Sequence, residues 1–224
     1  MDAVIQREWQ HLFDHFERRV LELKPRSVLD VGCGRGGLIG RQADPGIPAT
    51  GIDPGANGSD PQIINGDAAR MPFGDGAFEW LTLRHVPHHL PDLPAALAEC
   101  VRVARKGLLI AEPWFDPADP VQQLAERWDR WWKRQHERNG DIHRPCLAVP
   151  ELTAALPPGT RQIEAEHYRR EAAIPFEAIE ALSQPLLETL APRHPDRAEY
   201  EAIAQAIREQ GFTYNGTLIV KVTL

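Results

Sequence analysis

Val28-Leu-Asp-Val-Gly-Cys-Gly-Arg-Gly-Gly37 opens as a short β-rich run and closes in glycines, and Leu38 to Gln42 continues it as a helix. Strand, glycine turn and helix in that order form the first step of an alternating chain. Downstream, Ala49 to Asp53, Gln62 to Asn65, Phe78 to Leu83 and Gly107 to Ala111 read as further short strands, separated by Pro/Gly turns or helical stretches. The clearest of those helices is Asp92 to Ala104, where Leu93, Ala96, Leu97, Cys100, Val101 and Val103 recur at helical spacing and Lys106-Gly107 is the expected stop. Upstream, Val4, Ile5, Trp9, Leu12, Phe13, Phe16, Val20 and Leu21 form one apolar stripe that Pro25 closes. Strands alternating with helices predict an α/β fold, a mostly parallel sheet covered on both faces.

Past Ala111 the rhythm changes. Pro117 to Pro150 reads as one polar, Trp-rich helical stretch, Arg161 to Glu171 as a strand, Phe176 to Gln210 as two helical stretches broken at Pro192 and Pro195, and Gly216 to Leu224 as a terminal alternating strand. No Ser/Gly-rich linker divides the chain. A single domain over residues 1–224 is therefore expected, with its core over about 24–115 and 157–224 and helical cap insertions over about 116–150 and 176–210.

With 224 residues the chain is long enough to bury a core without disulfides. Its 25 Lys+Arg against 32 Asp+Glu leave a net charge of -7, so it lacks the positive field that gathers a phosphate backbone, and nucleic acid is not an expected partner. The three cysteines, Cys33, Cys100 and Cys146, include no C-x-x-C pair and fit neither a disulfide framework nor a zinc knuckle. The opening MDAVIQREWQ has no apolar core, and no run reaches the ~18 apolar residues of a membrane span. A cytoplasmic monomer or homodimer without membrane insertion is expected.

A strand that ends in glycines and opens a helix lets the main chain approach a ligand that a Cβ would exclude. Gly32, Gly34 and Gly37 satisfy G-x-G-x-x-G, and Asp53 ends the next strand about 20 residues on, where a carboxylate accepts ribose hydroxyls. On these residues alone, NAD and S-adenosylmethionine both fit.

Four motifs in order separate them. Val28 to Gly36, with the acid Asp30 two residues before the first glycine, resembles motif I of the class I S-adenosylmethionine-dependent methyltransferases, type 11 branch (ubiquinone/menaquinone-biosynthesis-like). Gly51-Ile-Asp53 resembles the second motif, Asn65 to Phe73 the third, and Phe78 to Leu90 the fourth. The resemblance runs from Ser27 to Ala111. It implies a Rossmann-like three-layer sandwich with a seven-stranded, mostly parallel sheet, an antiparallel last strand and a helical cap. It implies S-adenosyl-L-methionine as cofactor, S-adenosyl-L-homocysteine as product and a small-molecule acceptor. Carried over residue by residue, Gly32, Gly34 and Asp30 would serve the methionine part, Asp53 and Pro54 the ribose side, and Asp67 and Ala68 the adenine edge, with Arg84 at the end of the fourth strand. The competing functions are a non-catalytic adenosylmethionine-binding module and a nicotinamide-dependent oxidoreductase.

Methyl transfer from a sulfonium is an in-line displacement that gains most of its rate from positioning. A hydroxyl acceptor also needs a proton acceptor, and His85, just past the fourth strand, is the candidate catalytic residue. His85, His88 and His89 fall at helical spacings, as do His11 and His15, yet no carboxylate stands at a recognised ligand spacing, and no metal is expected. Trp9, Phe13, Trp114, Phe115 and Trp128 are the candidate substrate-binding rings. The Trp stripe of residues 127 to 144 reads first as the buried face of an amphipathic helix with its charges solvated.

Overall fold

The computed structural model describes residues 2–42, 46–159 and 162–224. The chain runs α1 (Ala3–Glu22), β1 (Val28–Val31), α2 (Gly37–Gln42), β2 (Ala49–Asp53), β3 (Ile63–Asn65), β4 (Phe78–Arg84), a short 3-10 turn (Pro87–His89), α3 (Leu93–Val103) and β5 (Ala104–Trp114). It continues with α4 (Pro120–Arg138), α5 (Val149–Ala155), β6 (Gln162–Tyr168), α6 (Phe176–Thr189), α7 (Pro195–Gln210) and β7 (Gly216–Thr223). The seven strands form one sheet in the order β3-β2-β1-β4-β5-β7-β6.

The pairings of β1 with β2 and β4, of β2 with β3, and of β4 with β5 are parallel. β7 runs the other way: the Leu224 amide donates to Lys106 at the start of β5, whereas a Cβ on Gly216 at the start of β7 would meet Trp114 at the end of β5. This is a mixed, Rossmann-like sheet with the antiparallel last strand that the motifs imply. Because β1 and β5 are buried on both sides, their sequences VLDV and GLLIA read as apolar runs rather than alternating ones.

Packing divides the chain into two compact units. The sheet unit comprises His15–Glu112, Leu147–Glu166 and Leu218–Leu224, and the helical unit comprises Met1–Asp14, Pro113–Cys146 and His167–Thr217. In the sheet unit, α3 buries Leu93, Ala96, Leu97, Cys100 and Val103, an i, i+3, i+4 stripe, and Asp92 caps its start by accepting the Ala95 amide at 3.0 Å. In the helical unit, α4, α6 and α7 pack together around Trp131, Ile179, Ile203 and Phe212. Trp131 is fully buried, with its indole N–H donating to the Asp196 carbonyl at 2.9 Å. No helix among the described residues is long and apolar enough to cross a membrane.

Two expectations about elements need correction. The stretch 117–150 is not one helix: α4 ends at Arg138, and Gly140, at φ 96°, takes the left-handed conformation that stops a helix, so 139–148 is irregular and α5 starts afresh. The end of α3 comes at Val103, before Lys106-Gly107, and Ala104 passes straight into β5. Gly107 serves the strand instead, since a Cβ there would stand 2.0 Å from the Val222 carbonyl oxygen and 2.6 Å from the Trp80 ring. Arg161, where the sixth strand was expected to begin, lies outside the described residues, and the strand starts at Gln162.

Candidate functional site

The two ends of the sheet treat buried acids differently. At the amino end, Glu79 is 3% exposed and accepts the Arg26 amide at 2.9 Å, Lys106 Nζ at 3.0 Å and Arg105 Nη2 at 3.2 Å. The Arg26 N–H and the Lys106 ammonium hold its carboxyl well down, to about 2. At the carboxyl end, Asp30 is 6% exposed and its neighbour in register on β4 is Thr82, whose hydroxyl donates to Oδ1 at 2.7 Å. Burial pushes Asp30 up to about 6, against the pull of the Thr82 hydroxyl and Arg84, with the Asp53 charge adding to the rise. The carboxyl ends of parallel strands are where α/β sheets place ligands.

The glycine turn sits at that end. Gly32, Gly34 and Gly36 have φ of 68°, 56° and 77°. Gly32 is required by packing, because a Cβ there would approach Val86 Cγ2 to 2.4 Å; around Gly34 a Cβ would meet nothing within 4 Å. Of the two expected close-approach glycines, Gly34 is the one that faces open space. The turn spends its own amides: Gly32 and Cys33 donate to the Ile52 carbonyl at 2.8 and 3.3 Å, Gly36 donates to Cys33 at 3.0 Å, and Gly34 donates to Asp53 Oδ2 at 2.9 Å.

Asp53, at the end of β2, also accepts the Gly55 amide on Oδ1 at 2.8 Å. Each carboxylate oxygen carries two acceptor positions, so one on each remains for a ligand. Pro54 follows on an exposed loop that Asn65 ties down, its Nδ2 donating to the Pro54 and Ala56 carbonyls at 2.9 Å each. Asp67 is exposed beyond β3, with Oδ1 accepting the Ala69 amide at 2.9 Å, and Ala68 is half-buried beside it. Cys33 sits inside the turn, its thiol pushed up to about 12 by burial and by the charges of Asp30 and Asp53, which disfavours the thiolate. The structure thus gathers Asp30, Gly32, Gly34, Asp53, Pro54, Asp67, Ala68 and Arg84 at the carboxyl ends of β1 to β4, all in the sheet unit.

His85 follows β4 in the left-handed region at φ 56°, rare for a residue with a Cβ, and its amide donates to the Ala111 carbonyl at 2.8 Å. The helical spacing of His85, His88 and His89 is not realised as a helix, since only Pro87–His89 forms a 3-10 turn. Instead His88, 2% exposed, places Nδ1 at 2.9 Å from both oxygens of Glu112, which is fully buried at the end of β5. The His88 and His89 rings lie 4.3 Å apart and those of His85 and His88 6.4 Å apart. Sequence reasoning missed Thr82 and Glu112. Glu112 carries the signal that singled out Asp53, an acid directly after a β-rich run.

The five candidate acceptor rings all fall in the helical unit. Trp9 and Phe13 stack at 5.5 Å, with Trp9 36% exposed and Phe13 buried. Trp114 lies against His167 at 4.4 Å. Phe115 and Trp128 pack on the helical core, where the Trp128 indole N–H donates to Ser183 Oγ at 3.0 Å and its ring meets Phe212 edge-on.

Residues 29–111 match the family model described as a methyltransferase domain. Among curated proteins, the chain is similar to ajmaline N-methyltransferase of Rauvolfia serpentina, 36% identical over 104 residues, covering 40% of this chain and 36% of that protein. It is also similar to demethylmenaquinone methyltransferase of Beutenbergia cavernae, 34% identical over 107 residues, covering 43% of this chain and 45% of the relative. The matches therefore span less than half of these relatives. A solved S-adenosylmethionine-dependent methyltransferase from Archaeoglobus fulgidus shares the fold at a TM-score of 0.59 and 20% identity, over 99% of this chain and 100% of that one.

Proposed function

We propose that this chain, whose residues 29–111 form a methyltransferase domain, binds S-adenosyl-L-methionine and transfers its methyl group to a small-molecule acceptor. The observation that carries the reading is Asp53: its two oxygens are pinned by the Gly34 and Gly55 amides and keep one acceptor position each, a spacing suited to a ribose diol. The turn beside it supports an adenosyl compound over a dinucleotide. A pyrophosphate needs N–H groups pointing out of the turn, and here those of Gly32, Cys33, Gly34 and Gly36 are engaged within the protein.

In this reading Gly34 gives the bare main chain against which the methionine part lies, and Asp30, once ionised, attracts its ammonium. Asp67 and Ala68 provide an acceptor and a donor for the adenine edge, while Pro54 and Arg84 flank the ribose and the end of β4. The cofactor supplies an electrophilic methyl group on a sulfonium. His85 takes the proton of a hydroxyl acceptor, its ring directed by a backbone held in an unusual conformation. Trp9, Phe13, Trp114, Phe115 and Trp128 are the proposed acceptor-side rings. Curated relatives named for methylating ajmaline and demethylmenaquinone support a small organic acceptor.

Calorimetric titration with S-adenosylmethionine, S-adenosylhomocysteine and NAD in parallel tests this reading. Binding of both adenosyl compounds and not of NAD is expected. Binding of NAD alone overturns it, and adenosylmethionine binding with no transfer across a panel of hydroxyl, amine and carbon acceptors leaves a binding module.

A further inference from the structure

We propose that Cys146, in the helical unit, is a nucleophilic thiol activated by Lys133 and Asp129 and is a covalent modification site for small soft electrophiles. Asp129 and Lys133 stand one turn apart on α4, and Cys146 lies in the irregular stretch that follows it. The Lys133 side chain, 4% exposed, donates from Nζ to Cys146 Sγ at 2.8 Å and reaches Asp129 Oδ2 at 2.9 Å. The thiol in turn points its proton at Asp129 Oδ2, at 3.6 Å. A buried ammonium needs one counter-ion, and Asp129 is that. The contact to sulfur is additional, and it places a base and a cation on one half-buried thiol.

The three groups match what a cysteine needs to react near neutral pH. In attack on an alkyl iodide, a sulfur–carbon bond forms as the carbon–iodine bond breaks, iodide leaves with the electron pair, and the thiol proton passes to the Asp129 carboxylate. Negative charge building on sulfur lies against the Lys133 ammonium. Burial raises the Asp129 carboxyl, against the pull of Lys133 and Cys146, and the like charge of Glu126 one turn earlier adds to the rise. A raised carboxyl is a stronger base. Lys133 stays charged because the Asp129 and Cys146 contacts outweigh its burial. The other two cysteines are internal controls. Cys100 is fully buried, and both it and Cys33 are pushed up to about 12, chiefly by burial.

The test is timed alkylation of the full chain with iodoacetamide, read by peptide mass spectrometry across a pH series, with N-acetylcysteine as the free-thiol reference. At about pH 7 Cys146 alone should be labelled, several-fold faster than the reference. Its rate should persist below the ordinary thiol range of about 8.5 instead of falling tenfold per pH unit. Lys133→Met should slow Cys146 about tenfold and return its pH dependence to that of the reference, and Asp129→Asn, which removes the base but leaves the ammonium, should slow it without returning that dependence. Labelling of Cys146 no faster than the reference, or a rate indifferent to both substitutions, overturns the proposal. If Lys133→Met does not fold, the pH profile of the unmodified chain decides alone.

Discussion

Asp30 in the sheet unit and Asp196 in the helical unit are the same residue type at nearly the same burial, 6% and 9% exposed, yet they are held in opposite ways. Asp30 meets a hydroxyl, and burial wins, lifting it to about 6. At Asp196 burial also pushes upward, but the Gln135 amide at 2.8 Å and the charges of Arg134, His194 and Arg138 overcome it and leave the carboxyl below its ordinary range. Asp196 is a finished structural contact at the start of α7. Asp30 is an acid the fold leaves under-compensated, the condition expected where a ligand brings the missing positive charge. Burial alone does not decide which way a carboxyl shifts; the difference lies in who answers its charge.

The largest expected effect tests whether every acid at the carboxyl end of the sheet is of the Asp30 kind. Glu112 is fully buried and meets both His88 Nδ1 and the Leu147 amide, so His88→Leu should strip the pair of its ring partner and cost about 3–5 kcal/mol in urea denaturation. A loss under about 1 kcal/mol would mean that His88 does not answer the charge of Glu112, which would then belong with Asp30. Next in size is Asp53→Ala, which should weaken adenosylmethionine binding by about 1–3 kcal/mol in calorimetry by removing the ribose acceptor. Unchanged affinity would remove Asp53 from the site.

The Asp30 and Asp196 contrast itself predicts opposite signs. Between the ordinary carboxyl value of 3.8 and about 6, native Asp30 holds a proton that the unfolded chain has lost, so its contribution to stability falls as pH rises through that window. Asp30→Asn should therefore stabilise the protein above about pH 6, by about 1–3 kcal/mol, while weakening cofactor binding. For Asp196, lowered when folded, the contribution is complete above 3.8 and is lost as pH falls through the folded value. Asp196→Asn should destabilise at neutral pH by about 1 kcal/mol. Denaturation midpoints measured across pH for both variants check the pair, and like signs would dissolve the contrast.

The sheet unit was legible because each motif marks a strand end, where a change from apolar run to glycine or acid is visible in one dimension. Asp30, Gly34 and Asp53 stand at such places in the sequence. Thr82 escaped because its relation to Asp30 is one of register across β1 and β4, which no local spacing reports. In the helical unit the amphipathic stripes forecast α1, α6 and α7, but the end of α4 rested on Gly140 inside a stretch that otherwise looked continuous. Trp128 shows the harder limit. Its spacing on α4 suits a pocket ring or a core ring alike, and only the bond to Ser183 and the contact with Phe212 show how firmly it is anchored.

The smallest effect bears on His85, the one proposed catalytic residue that carries backbone strain. A non-glycine residue at φ 56° costs about 1 kcal/mol, and the hydrogen bond from its amide to the Ala111 carbonyl ties that conformation to β5. His85→Gly should therefore stabilise the protein by about 0.5 kcal/mol, and His85→Asn, which tolerates the left-handed region and lacks a base near neutral pH, should be close to neutral. The two variants separate the shape of the loop from its chemistry. If the imidazole takes the acceptor's proton, both lose turnover with a hydroxyl acceptor and both lose one ionisation from the pH–rate profile. If both keep the wild-type profile, the strain at His85 serves only to turn the chain from β4 toward the His88–Glu112 pair.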